Sequence, residues 1–538
     1  MKKEWIFQSR GKKIFLMGVQ AHNSSAYAES EMLSAWKALD LMGGNTMEVP
    51  IYWDKIEPEE GQFDFSIIDY LLKQARERGK YLVLLWFASW KNGNMRYVPQ
   101  WVKRDRQRFH RALASDGVAL ASLSAHCPAC READAKAFEA VMNHISQVDA
   151  LQETIIAIQV ENEPGYVART PVDYGPDGQK ALREIVPTHV LDFIEKEGEG
   201  SEFEAFRRNG SKRGCDWVET FGKRGYDLCT AYGVATYIDY VAMKGKQFCD
   251  RIPMYVNVWL DRQLWDQPGL GYPAGAPVTR NLVLWKSCTP HIDVIAPDVY
   301  LQPMNLVTSI YRKYSRPDNP LFVPESGPSV SNAMNMLRGI AEYGLQGISY
   351  FGAESYTNLE ETAIVEEAVE GMYNFTFLKA IAPLIIRYSG TDRIHALYQE
   401  EFMFEYQLKL KNYECVVSFD SDPQADLKRI RDSRVCWFNK KWADKAPRGR
   451  GIVIEAEDGT VYAAGAGMRI TMRMEHDEGA PYSPIVEERN VNWHLVQEGY
   501  VDDDGQFHCT RVRSGDETDH GVFLTPDSGC VKIVLGEE

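Results

Sequence analysis

Eight short apolar runs, rich in β-branched and aromatic residues, punctuate the first part of the chain, at residues 14–20, 45–53, 81–88, 154–160, 254–259, 294–300, 321–324 and 347–351. Between them lie longer stretches with helical spacing. One, over 30–42, carries Met32, Leu33, Trp36, Leu39 and Leu41 ahead of Gly43-Gly44. Another, over 67–78, carries Ile67, Ile68, Leu71, Leu72 and Ala75 ahead of Gly79, a residue suited to a helix C-terminus. Strands that alternate with helices pair in parallel, and nearly continuous apolar runs fit strands covered on both faces. Eight such units predict a (β/α)8 TIM barrel. A doubly wound open sheet competes, but no Gly-x-Gly-x-x-Gly or phosphate loop follows the first run.

Beyond about residue 386 the rhythm changes. Runs at 402–410, 414–419, 451–455, 461–474 and 531–535 alternate with turn signals such as Asp458-Gly459 and Asp503-Asp504-Gly505. The expected organisation is a catalytic barrel over 1–385, with a long insertion at about 166–250 above its C-terminal face, followed by a smaller antiparallel β domain over 386–538.

Composition narrows the functions available. The chain has 538 residues, of which 44% are hydrophobic and 25% charged, so it reads as globular. A formal net charge of −16 repels phosphate backbones and anionic membranes, which argues against nucleic-acid or membrane partners. No secretory signal pattern opens the sequence, and the ten cysteines are scattered, so a cytoplasmic protein with reduced thiols is expected. Association into a homo-oligomer is left open.

Two motifs carry chemistry. Gln159-Val160-Glu161-Asn162-Glu163-Pro164-Gly165 ends the fourth run, and Leu321-Phe322-Val323-Pro324-Glu325-Ser326-Gly327 ends the seventh. In a barrel, these positions reach the C-terminal rim from different sides of the ring. Opposed carboxylates there suit glycoside hydrolysis, in which one protonates the leaving oxygen and the other attacks the anomeric carbon. Structural ion pairing is the plainer use of either carboxylate.

These motifs resemble the acid/base and nucleophile segments of the glycoside hydrolase clan that includes families 2, 5, 35 and 42, known as clan A. The nearest likeness is to family 35 and 42 β-galactosidases, in a bacterial branch with a small C-terminal β domain. Asn45-Thr46-Met47-Glu48-Val49-Pro50-Ile51-Tyr52-Trp53, Trp86-Phe87-Ala88-Ser89-Trp90-Lys91-Asn92-Gly93 and Ser514-Gly515-Asp516-Glu517-Thr518 extend it along the chain. The resemblance implies Glu163 as general acid/base, Glu325 as nucleophile, Asn162 on the sugar 2-hydroxyl, and Tyr300 beside the nucleophile. It implies a retaining exo-glycosidase that needs no metal or organic cofactor, with a glycoside or oligosaccharide as substrate and a terminal β-galactoside as the first expectation. Where family 35 carries a sugar-binding Ala-Glu, this chain reads Ala88-Ser89. That departure keeps β-glucosides, β-fucosides and arabinosides in view.

Trp53, Trp86 and Trp259, at predicted strand ends, could stack on a sugar face or serve as core; Ser89 and His22 could bind hydroxyls, though a lone His is more often structural. Cys127-Pro128-Ala129-Cys130 lacks the second ligand pair of a zinc site and the setting of a thioredoxin motif. A non-catalytic sugar-binding barrel would keep the aromatic platform without needing both carboxylates. A metal-dependent hydrolase is disfavoured, because no His-x-His ends a strand.

Overall fold

The computed structural model describes residues 4–261, 265–400, 403–419, 448–474, 493–518 and 521–536. Eight parallel strands form the first unit: β1 (Leu16–Gln20), β2 (Thr46–Tyr52), β3 (Tyr81–Lys91), β4 (Ile155–Asn162), β5 (Met254–Val258), β6 (Val294–Pro297), β7 (Val323–Ser326) and β8 (Gly347–Phe351). Their order is β6-β5-β4-β3-β2-β1-β8-β7. A parallel bridge between Val299 and Ser326 and the bond from Val299 N–H to the Glu325 carbonyl (2.8 Å) link the two ends, so the ring closes as a barrel. Every residue of β2 and β4 is buried, as expected for strands walled by helices on one side and a packed interior on the other.

Each strand is followed by a crossover helix: α1 (Met32–Met42), α2 (Ser66–Arg78), α3 (Pro128–Val148), α4 (Gly225–Lys246), α5 (Leu282–Cys288), α6 (Met304–Tyr314), α7 (Val330–Tyr343) and α8 (Val369–Tyr388). The two helices read from periodicity end where their glycines predict, at Gly43 (φ 75°) and Gly79 (φ 61°). Between β4 and α4 the chain adds four shorter helices, Pro176–Leu182, Thr188–Glu197, Ser201–Arg208 and Trp217–Phe221. No described helix is long and apolar enough to cross a membrane.

Two strand ends differ from the sequence expectation for a physical reason. The seventh run was expected to close at Pro324, yet the strand continues to Ser326. Val323 pairs with Ile348 and Ser326 with Tyr350, so β7 carries one extra residue around Pro324-Glu325. Proline lacks an N–H for the ladder, and the bulge forms where that donor is missing. In β3 the shift is larger. Trp86 pairs with Val160 and Lys91 with Asn162, so four residues of β3 span one of β4.

The C-terminal elements are antiparallel: β9 (Ile394–Tyr398), β10 (Glu405–Lys409), β11 (Tyr413–Phe419), β12 (Arg450–Glu455), β13 (Val461–Ala466), β14 (Met468–Met474), β15 (Trp493–Val501), β16 (Phe507–Arg513), β17 (Val522–Leu524) and β18 (Cys530–Leu535). They form a six-stranded sheet, β9-β12-β13-β18-β15-β16, and a four-stranded sheet, β10-β11-β14-β17. Leu397, Val417, Val453, Ile470 and Ile533 are among the side chains packed between them. The run at 461–474 is two strands in different sheets, because Gly467 (φ 65°) turns the chain from one to the other. The predicted run at 402–410 begins at Phe402, which lies outside the described residues.

Arg450 joins β12 to α8. Wholly buried, it donates from Nε to Asn374 Oδ1 (2.6 Å) and from Nη2 to the Glu370 carbonyl (2.7 Å), and it pairs with the Glu370 carboxylate. Removing one member of such a pair strands the other. Arg450→Ala is expected to cost about 3 kcal/mol of stability, read as a lower urea midpoint. A loss under about 0.5 kcal/mol, the scale of an ordinary surface change, would mean that this contact does not hold the two parts together.

Candidate active site

The end of β4 sets the geometry. Glu161 (φ 64°) and Glu163 (φ 45°) both adopt left-handed backbone, which non-glycine residues rarely do. The extended strand's alternation is broken there, so neighbouring residues can serve different faces. Glu161 turns into the β3 bulge, where its carboxylate accepts from the N–H groups of Ser89 (3.1 Å) and Trp90 (2.7 Å). Asn162 and Glu163 turn to the barrel mouth. Gly165 completes the turn, since a Cβ there would lie 2.5 Å from the Ala274 carbonyl oxygen.

Asn257, on β5, ties the mouth together. Its Oδ1 accepts from the Glu163 N–H (2.9 Å), while its Nδ2 donates to Asp298 (2.9 Å) and to Glu325 (3.3 Å). Glu325 Oε1 also accepts from Gln20 Nε2 (3.1 Å) and Asn162 Nδ2 (3.4 Å), and its Oε2 from the Tyr300 hydroxyl (2.9 Å). Lys91 donates to Asn162 Oδ1 (2.8 Å), which fixes the amide with its NH2 towards Glu325. Asn92 donates to the Glu163 carboxylate.

Oxygens of Glu163, Asp298 and Glu325 lie within 4.8 Å of one another, and all three residues are buried. At an effective dielectric near 20, two full charges at this distance repel by about 3.5 kcal/mol, so protons must be retained. Burial first, then the charge of Glu325, pushes the Glu163 carboxyl up to about 8, with Lys91 opposing. Burial and the same two carboxylates hold Asp298 well above the usual range. Deeper in the barrel, burial also raises Glu48 to about 8, although Ser349 (2.5 Å) and the Tyr255 hydroxyl (3.1 Å) donate to it. A cavity of about 290 Å³ opens beside the carboxyl cluster, lined by Trp259, Leu260, Asp266, Asp298, Tyr300 and Leu301.

Of the residues read from the sequence, Glu163, Glu325, Asn162, Tyr300 and Trp259 meet at this mouth. His22 lies at the end of β1, where its N–H donates to Glu354 (3.1 Å) and its Nε2 meets Ser355 Oγ (2.8 Å). Three others correct the expectation. Trp86 donates to Asp134 on α3 (2.9 Å) and packs against Phe138; Ser89 donates to Asp134 (2.6 Å) and meets the Tyr237 hydroxyl (2.7 Å). Trp53 begins a one-turn helix, donates to Glu57 (2.9 Å) and meets Trp101 edge-on. All three are wholly buried towards the helical layer, so none can line the mouth. The sequence reading missed Gln20, Lys91, Asn92, Asn257 and Asp298. Their common signal is a polar residue inside or just after an apolar run.

Parts of the chain match known proteins. Residues 24–190, which include the β4 motif, match the glycoside hydrolase family 42 model, described as Beta-galactosidase. The chain resembles the family 42 glycoside hydrolases. Residues 372–525 match a domain of unknown function, DUF5597, whose span begins inside α8. A β-galactosidase of Xanthomonas manihotis is 32% identical over 139 residues, 24% of this chain and 20% of that protein. The chain thus matches about a fifth of the length of this curated relative. Among solved structures, a catalytic variant of a family 42 β-galactosidase from G. stearothermophilus is 14% identical, over 73% of this chain and 59% of that one, with a TM-score of 0.49. The catalytic domain of a β-amylase from Paenibacillus polymyxa is 13% identical, over 66% and 97%, with a TM-score of 0.48.

Behind the mouth, Asp134 and Glu161 form a second buried carboxyl pair, and burial raises both. Asp134→Ala would strip Trp86, Ser89 and Tyr237 of their acceptor. It is expected to cost about 3 kcal/mol in chemical denaturation, and Asp134→Asn less than half of that. Equal losses in the two variants would show that the hydrogen bonds are not what stabilises this layer.

Proposed function

We propose that this chain is a retaining exo-glycoside hydrolase that releases a terminal β-linked sugar, with a β-galactoside as the substrate to test first. One observation carries the reading: Glu163 and Glu325 face one another with oxygens within 4.8 Å. Retaining enzymes place their two carboxyl groups about 5–5.5 Å apart, whereas inverting enzymes leave about 6.5–9.5 Å for a water. A cavity of about 290 Å³, near the lower end of ligand pockets (about 300–1,000 Å³), suits a single terminal ring. The family 42 match over residues 24–190 points the same way.

In this reading Glu325 attacks the anomeric carbon as Glu163 gives its proton to the departing oxygen, and a covalent glycosyl ester forms. The raised acidity range of Glu163 keeps that proton available at neutral pH. Once the proton has left, the nearby Lys91 charge favours the Glu163 carboxylate. That carboxylate then takes a proton from water, which attacks the same carbon and frees Glu325. Tyr300 holds Glu325 in place, Asn162 presents its amide to the sugar 2-hydroxyl, and Trp259 offers a ring face to the C–H side of the sugar. No cofactor enters the scheme.

Glu325→Gln is expected to lower turnover of a nitrophenyl β-galactoside at least about a thousandfold while thermal unfolding stays unchanged. Full activity in that variant overturns the assignment. A faster rate on a β-glucoside, β-fucoside or arabinoside would reassign the sugar and leave the chemistry standing. The pH profile gives a second test. Activity needs protonated Glu163, so kcat/KM should hold below about pH 8 and fall tenfold per unit above it. Asp298, held neutral, can be replaced by Asn without moving that limb. A shift of the limb to lower pH in Asp298→Asn would reveal that Asp298 is charged in the working enzyme.

A further inference from the structure

We propose that Cys127 and Cys130 form a redox-active dithiol, which closes to an intramolecular disulfide when a small peroxide enters the cavity beside Cys127. The pair does not sit in a free loop. Cys127 is the N-cap of α3 (φ −84°, ψ 111°), Pro128 is the first helical residue, and Cys130 falls in the first turn. N-cap and third helical positions bring side chains to one side of a helix end, the spacing of a Cys-x-x-Cys pair. Both thiols point to the same preceding segment, with Cys127 Sγ 3.7 Å from the Arg108 carbonyl oxygen and Cys130 Sγ 3.7 Å from that of His110.

The surroundings divide the work between the two sulfurs. The Cys130 thiol donates to Cys127, and with the helix-end N–H of Cys130 and the His110 ring it pushes Cys127 down to about 6, against burial. Cys130 is pushed up by the same interaction and by burial, so it keeps its proton. His110 is itself raised by Asp177, whose Oδ2 meets its Nδ1 at 2.6 Å, and ring and sulfur lie within 4.8 Å. A thiolate at a helix N-terminus, beside a histidine whose proton is held more tightly by Asp177, is the nucleophilic partner, and a neutral neighbouring thiol is the resolving one.

Access sets the class of oxidant. Cys127 is only 2% exposed, but it lines a cavity of about 140 Å³ together with His126, Arg131, Glu184, Trp217 and Tyr232. That space admits a peroxide and excludes a peptide disulfide. His126 Nε2 is buried there without a partner among the described residues, and its ring fits against α4 because position 233 is glycine; a Cβ would come within 2.3 Å of Cε1. The described residues around this cavity share none with the cleft at the barrel mouth.

The chemistry balances. The Cys127 thiolate attacks one oxygen of hydrogen peroxide and the O–O bond breaks. The other oxygen leaves as hydroxide and takes a proton to become water, and Cys127 becomes a sulfenic acid. The Cys130 sulfur then attacks the Cys127 sulfur, its proton leaves with the hydroxyl as a second water, and the S–S bond forms. Two thiols are oxidised and one peroxide is reduced; a dithiol reductant reverses the change.

Trypsin releases residues 112–131 as one peptide holding both cysteines. After the folded full-length chain is treated with hydrogen peroxide and then alkylated, this peptide is expected to lack both alkyl groups and to weigh two hydrogens less. Its oxidation should run roughly tenfold faster than that of the exposed Cys509, and dithiothreitol should reverse it. In Cys130→Ser, with nothing to resolve it, the Cys127 sulfenic acid should be trapped by dimedone. Full alkylation of both cysteines after a dose that consumes Cys509 would overturn the proposal, whether Cys127 is inert or held by a metal ion. A Cys130→Ser protein that unfolds with wild-type cooperativity yet gives no dimedone adduct would overturn it too.

Discussion

Crowding three buried carboxyl groups at the mouth of the barrel is the constraint to which the surrounding structure answers. Oxygens of Glu163, Asp298 and Glu325 within 4.8 Å repel strongly if all are charged, and burial deepens the penalty. The chain meets this unequally. Four donors, from Gln20, Asn162, Asn257 and Tyr300, converge on Glu325, and such surroundings suit negative charge. Glu163 and Asp298 are left to retain protons. Asn257 enforces the asymmetry, because one amide group accepts from the backbone of Glu163 and donates to both of the other carboxyls. Burial and the charge of Glu325 raise the Glu163 carboxyl, which is the direction that a proton donor at neutral pH needs.

Holding side chains in that arrangement requires irregular backbone at the strand ends. The extra residue in β7 at Pro324-Glu325, the wide bulge of β3 and the left-handed residues on β4 all occur where strands leave the ring. Each is unfavourable by itself, and each is held by neighbours that over-determine it. The carboxylate of Glu161 fills the β3 bulge with two backbone hydrogen bonds, and Asp134 supports it from α3. Glu161 and Glu163, two residues apart, therefore have separate duties, one keeping the strand in shape and the other facing the cleft.

The barrel was legible because its signal is repetitive: eight apolar runs separated by helix-length segments admit few other topologies. Glu163 and Glu325 were legible because a carboxylate that ends such a run must lie at the rim. Ser89 was misassigned because the sequence does not show which face a residue takes once a strand bulges. Trp86, just before the bulge, and Trp53, in the one-turn helix after β2, turn to the helical layer, which a place at a strand end does not reveal. The four-for-one register in β3 redirects the residues from Phe87 to Trp90, and no local signal announces it. Asn257 and Asp298 stand as polar interruptions in apolar runs, but their value depends on partners on other strands. In the C-terminal part, β9, β15, β16 and β17 escaped because their alternation is weak. Residues 508–512 of β16 are all exposed, so no apolar face marks that strand.

The helix α3 links the buried carboxyl pair behind the mouth to the cysteine pair at its own N-terminus. Its second turn carries Asp134, which fixes Trp86, Ser89 and Tyr237 and completes the carboxyl pair with Glu161; its N-terminal end carries Cys127 and Cys130. This helix end is pinned by a buried carboxyl in its second turn. Geometry fixed at Asp134 is passed through the Glu161 carboxylate to the backbone that aims Glu163. The placement of Glu163 at the mouth therefore depends on packing between β3 and α3 as much as on the motif that contains it. A change on the outward face of β3 can alter the mouth without touching any residue that lines it.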